Sequence, residues 1–176
     1  AMFIGLSCLL AAGFYFAFQS VLGLTAVFHV ASNLSKIVLF KAGLNKYLII
    51  YIGAPAVLFV IIGGLLSKYF DSKFLEIFLG IFLISLSLLF LIKERLTIKT
   101  DKPQSMAGGA LSGFVAGLLG TGGAIRGLTM AAFNLEKNVF IATSAFIDFM
   151  VDASRTVVYY YNGYIKKELL IYLPFL

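Results

Sequence analysis

The sequence predicts an all-α polytopic membrane protein made of two homologous multi-helix repeats, with a Gly-rich broken helix in the second. Three observations predict it. Of 176 residues, 61% are hydrophobic and 12% charged, whereas soluble domains are roughly 45–50% apolar and about 25% charged. Two apolar runs have the length of a bilayer span: Tyr47–Leu66 carries no charge, and Phe74–Ile92 carries one acid, Glu76, near its end. Finally, residues 25–55 and 144–174 align when one is slid 119 positions along the other. Ser35 then meets Ser154, Lys36 meets Arg155 and Val38 meets Val157; one inserted residue brings Gly43 onto Gly163.

The elements follow in order. Met2 to about Val21 is apolar and reads as a helix. A helix over Leu24–Phe40 carries His29, Asn33 and Lys36 at i, i+4 and i+7, which is one helical face. Lys41–Lys46 is a loop, Tyr47–Leu66 a span, Ser67–Lys73 a short loop and Phe74–Ile92 a second span. Lys93–Gln104 is the clearly hydrophilic stretch, and Pro103 is expected to end any helix there. Ser105–Asn134 is apolar and Gly-rich. Val139–Tyr161 is a long helix that repeats the polar face with Asp148, Asp152 and Arg155. Asn162–Glu168 is a loop, and Leu169 opens a further span.

This divides the chain into a first membrane repeat at 1–92, a cytoplasmic linker at 93–104 and a second repeat at 105–176. On the same slide Ala1 falls opposite Gly120, so the first copy of 105–119 has no counterpart. A span from Leu169 to Leu176 is too short for a core ~30 Å thick. Both repeats are therefore expected to be incomplete, the first at its N-terminus and the second at its C-terminus, as in a fragment or split gene product.

The net charge of +6 does not point to nucleic acid. Its basic residues sit in short loops between spans, where the positive-inside rule puts them. The loops at 41–46, 93–104 and 162–168 hold Lys41, Lys46, Lys93, Arg95, Lys99, Lys102, Lys166 and Lys167. Those at 67–73 and 134–138 hold Lys68, Lys73 and Lys137. If 105–134 crosses the membrane once as a broken helix, the first group shares the cytoplasmic side and the repeats are parallel. If it re-enters, the repeats are inverted. Charge counting leans to the parallel arrangement.

The Gly-rich segment holds two signals. Gly113-Phe114-Val115-Ala116-Gly117 is a small-xxx-small pattern that allows close helix packing. Gly120-Thr121-Gly122-Gly123 is a break, because glycine costs about 1 kcal/mol per helical position and admits left-handed backbone. A helix restarting at Ala124 would aim free N–H groups and a positive dipole end at whatever lies before it. Arg126 follows within a turn. The four residues of the break and Arg126 thus form a candidate anion cradle. The Lys-Ser/Thr pair of a phosphate loop is missing.

The stretch GFVAGLLGTGGAIRGLTMAAFNLEKNVFIATSAFIDFMVDASRTVVYYYNG resembles the second-half signature of the sulfite exporter TauE/SafE family of membrane permeases. The residues that carry it are Gly113, Gly117, Gly120, Gly122, Gly123, Ala142, Thr143, Ser144, Arg155, Tyr159 and Gly163. The first half resembles the family more loosely, from Leu24 to about Ile92, with Thr25 standing where Ser144 stands in the second copy. The resemblance implies an all-helical, multi-pass permease of the cytoplasmic membrane. Its substrates would be sulfur-containing anions: sulfite, thiosulfate, sulfonates or organosulfur acids.

Physics alone assigns roles to the polar faces. Arg155 offers a planar, permanently charged fork matched to oxyanions, and it also has acids within a turn to pair with. Lys36 is its counterpart, close enough to a loop to snorkel. Asp148 and Asp152, one turn apart, are candidate proton carriers, and His29 could serve likewise. Asn33 and Ser35 are candidate substrate contacts that could equally bond helix to helix. Tyr159, Tyr160 and Tyr161 read as an interfacial aromatic belt. The expected partners are a small anion and the lipid bilayer, with a homo-oligomer left open and no nucleic acid. No cofactor and no metal site is expected, because one His and one Cys make no ligand set of known spacing; Cys8 reads as a packing residue. The competing readings are a non-transporting assembly subunit and an anion channel.

Overall fold

The computed structural model describes residues 17–40, 43–92 and 101–165. The expected helix over 2–16 and the span from Leu169 lie outside the described residues. Helix α1 is Phe18–Leu39. Helix α2 runs over Lys46–Ser67, with a π turn at Ile49–Gly53. Then come α3 (Ser72–Ile92), α4 (Lys102–Leu119), α5 (Gly123–Ala131) and α6 (Lys137–Tyr161). Among the described residues there is no strand. In a bilayer the backbone must satisfy its own hydrogen bonds, and helices do so within one segment. Helices α1, α2 and α3 are long and apolar enough to cross a membrane.

Two boundaries differ from expectation. Gly23 does not separate two helices; it lies inside α1. The Tyr164 carbonyl oxygen packs where a Cβ would stand, 2.8 Å from it, so glycine is there for close approach. Pro103 does not end a helix in the linker either. It sits in the first turn of α4, after Asp101, whose side chain accepts from the Gln104 N–H at 3.0 Å. Proline suits the first helical turn, where the missing N–H would have no partner anyway. The capping oxygen of Asp101 supplies the start of α4.

Direction is set by close contacts. Gly109, Gly113 and Gly117 press on the backbone of Ile52, Ala56 and Val60, and Gly63 presses on Phe114. The register advances equally on both helices, so α2 and α4 run parallel. Gly108 faces Thr129, and Gly122 faces the Ser112 carbonyl, so α5 folds back along α4. The segment 105–134 is therefore a hairpin and not a single crossing. Its turn is made by Gly120, at φ 76°, and by Gly122.

The Asn45 N–H donates to Thr143 Oγ1 at 3.1 Å, Gly53 meets Ile147, and Gly64 meets Val158, so α6 runs parallel to α2. Asn33 meets Asp152 and Gly23 meets Tyr164, so α1 runs antiparallel to α6. The two helices aligned by the 119-residue slide thus run in opposite directions, which is the inverted arrangement. The 162–165 connection falls at the same end as 68–71, not with 41–46. Charge counting erred because one segment turned back where one crossing was assumed.

The core has two parts. Phe18, Val21, Leu22 and Ala26 of α1 pack with Leu75 and Leu79 of α3, Leu118 and Leu119 of α4, and Tyr159. Leu48, Ile52, Ala56 and Val60 of α2 pack with Ala116, Met130, Ile147 and Val151. Helix α3 turns its other faces outward, exposing Ile77, Ile81, Ile84, Leu88 and Leu91. Such a surface is costly in water and ordinary against lipid.

Candidate functional site

The polar residues of α1 and α6 meet where the two helices cross. Lys36 Nζ donates to Asn33 Oδ1 at 2.7 Å, and Asn33 Nδ2 donates to Asp152 Oδ2 at 2.7 Å. Asp152 Oδ1 lies 2.9 Å from Arg155 Nε. Arg155 Nη1 donates to the Gly120 carbonyl at 2.8 Å. One unbroken chain of polar contacts thus runs from α1 through α6 to the Gly turn. Asn33 and Asp152 are partners across the sequence slide, as expected of residues lying on a pseudo-two-fold axis between repeats.

These groups are well hidden: Arg155 is 2% exposed, Asn33 2% and Asp152 7%. Buried charges persist only when paired and hydrogen-bonded. Arg155 is paired with Asp152 through Nε, which makes no hydrogen bond among the described residues, and donates through Nη1 to the backbone of the turn.

Arg126 is differently situated. It is 4% exposed and ion-paired with Asp148, yet its Nε and Nη1 have no hydrogen-bond partner among the described residues. Native proteins rarely leave buried donors unpaired. Its partner Asp148 is more open, with 23% of its side chain exposed, and Ser144 Oγ donates to Asp148 Oδ2 at a long 3.4 Å. Arg126 lies one turn into α5, which starts after Gly122 with no side-chain cap. The first N–H groups of a helix have no partners within it. Arg126 thus belongs to the first turns of a helix whose N-terminal end carries the positive end of its dipole.

The remaining candidates divide. Thr121 and Gly123 flank buried Gly122 at the turn and are half-buried. His29 is half-buried, edge-on to Phe28, and lies in the field of Arg155, Lys36 and Arg126. Ser35 stands apart: it is exposed, and its hydroxyl bonds back to the Ala31 carbonyl at 3.0 Å. It is not brought to the cluster. Tyr160 and Tyr161 are exposed, as a belt requires, but Tyr159 is fully buried and donates to the Gly117 carbonyl at 2.7 Å. Its spacing from Asp148, Asp152 and Arg155 puts it on their face, a signal overshadowed by its tyrosine neighbours. Past the end of α6, burial pushes the Tyr164 hydroxyl above its ordinary pKa, while its contact with Ser67 pulls the other way.

The family model for the sulfite exporter TauE/SafE matches residues 3–176. The chain belongs to the sulfite exporter TauE/SafE family. No curated protein and no solved structure gives a significant match. TauE/SafE proteins are membrane transporters of sulfite and related sulfur anions rather than enzymes, and the helices described above are those of a membrane protein.

Proposed function

We propose that this TauE/SafE chain moves a small sulfur oxyanion, or an organosulfonate, across the cytoplasmic membrane, coupled to protons. The observation that carries the reading is Arg126: buried, with two guanidinium nitrogens lacking hydrogen-bond partners, beside the uncapped start of α5. An oxyanion offers several acceptors in the geometry a guanidinium fork and backbone N–H groups can fill. Asp148 then acts as a tethered anion that holds Arg126 until substrate replaces it. Lys36, Arg126 and Arg155 oppose Asp148 and Asp152, three cations against two carboxylates, so the seam attracts anions even with both acids ionised. Protonation of an acid would strengthen that attraction and carry a proton with the substrate.

The end at which α2, α4 and α6 begin has Lys46, Lys102 and Lys137, and the connecting sequences add Lys41, Lys93, Arg95 and Lys99. We place that end in the cytoplasm.

The test is flux of sulfite and of thiosulfate into proteoliposomes under an imposed pH gradient, using the full-length protein. Saturable, gradient-dependent flux is expected, with Arg126→Gln losing at least about ten-fold in apparent affinity, the scale of a charge-assisted hydrogen bond. Flux of either anion that ignores Arg126→Gln would overturn the assignment of the site.

A further inference from the structure

We infer that Tyr159 is a positioning residue for the anion site: its hydroxyl fixes the end of α4, and so fixes where α5 begins. The inference rests on the reading of Arg126 and the α5 start given above. A helix end leaves its last carbonyls without partners, and at membrane depth no bulk water can supply them. Here the Ala116 carbonyl accepts the Gly120 N–H at 3.0 Å. The Gly117 carbonyl accepts the Tyr159 hydroxyl at 2.7 Å, and Ala116 takes a second, longer contact from it at 3.3 Å. One turn earlier on α6, Arg155 holds the Gly120 carbonyl at 2.8 Å. Helix α6 therefore holds the end of α4 at two points, Gly117 and Gly120, with two donors spaced i and i+4.

Packing alone would not select tyrosine at this place. The ring is fully buried, sits 5.4 Å from the Tyr164 ring, and lies within the apolar cluster around Leu22 and Leu119. Phenylalanine would fill the same volume without a polar group to satisfy. The hydroxyl instead meets carbonyls that a glycine-rich bend cannot hold by itself. Gly120 and Gly122 give the bend its shape but add no side chain to fix it. Since α5 follows within three residues, a loosened α4 end would shift the α5 N–H groups and Arg126 relative to Asp148.

The experiment compares wild type, Tyr159→Phe and 4-aminophenylalanine at 159, each in the full-length protein. Two quantities are read. One is the rate at which a cysteine replacing Thr121, in a background without other cysteines, reacts with a small thiol reagent. The other is KM against maximal rate for sulfite flux in proteoliposomes. Tyr159→Phe should label several-fold faster and raise KM roughly three- to ten-fold, the scale of one lost hydrogen bond, with the maximal rate within about two-fold. The amino variant keeps a donor and should restore both, and it still decides the matter if Tyr159→Phe fails to accumulate. Unchanged labelling and unchanged KM in Tyr159→Phe would overturn the inference, as would an amino variant that behaves unlike wild type. Faster labelling in a protein whose wild type moves neither sulfite nor thiosulfate would uphold the positioning role and sink the anion reading.

Discussion

At the residue scale, the polar seam separates two arginines that look equivalent in sequence. Each pairs with an acid, but Arg155 also donates to the Gly120 carbonyl and leaves only Nε without a hydrogen bond, whereas Arg126 leaves both Nε and Nη1. Removing an acid from a buried pair leaves a charge without compensation, which costs about 3–5 kcal/mol. Asp152→Ala should therefore lower thermal stability in detergent sharply, because it strands both Arg155 and Asn33. Ser35→Ala should leave stability and flux unchanged, since that hydroxyl is exposed and bonds only its own helix. Equal melting shifts for the two variants would show that the chain of contacts from Lys36 to Gly120 is not what holds the seam together.

At the element scale, the contact between α2 and α4 is a backbone-on-backbone seam made possible by Gly109, Gly113 and Gly117. Without a hydrophobic drive between helices in lipid, close packing of small residues is a main source of association. A Cβ on Gly113 would run into the Ala56 carbonyl, and one on Gly117 into that of Val60. Gly113→Ala should destabilise by about 1–3 kcal/mol, the usual scale of overpacking, or push the hairpin off α2. Gly80 on α3 has open space around it, so Gly80→Ala should be neutral or stabilising by about 0.5–1 kcal/mol, the helical gain over glycine. Unfolding in detergent measures both. A Gly113→Ala protein as stable as Gly80→Ala would contradict the close approach.

At the scale of the whole molecule, the hairpin decides topology. With α4 and α5 entering and leaving at one end, Leu44 and Glu136 lie at that end, and Tyr69 and Tyr161 lie at the other. Single cysteines at Leu44 and Glu136 should react with a membrane-impermeant reagent from the cytoplasmic side, and those at Tyr69 and Tyr161 from the opposite side. Tyr161 labelling together with Leu44 would restore the single-crossing arrangement and exclude the hairpin.

The sequence by itself determined that this is a helical membrane protein. Span length and apolar composition depend only on bilayer thickness and on the cost of exposed backbone. It also located the Gly break at 120–123 and the two polar faces, because local conformation and helical spacing are properties of neighbouring residues. The family was legible for the same reason, through a run of glycines and an Ala-Thr-Ser opening. Three things were decided only by tertiary structure. The turn-back of α5 depends on which surface the segment finds, since a glycine break permits a kink or a hairpin equally. The different partners of Arg126 and Arg155 depend on which acids and carbonyls the packing brings within their reach. Tyr159 looked like part of an interfacial belt because three adjacent tyrosines share a composition, but 100° per residue around α6 turns them to different faces. One of those faces meets the end of α4; the other two meet the outside.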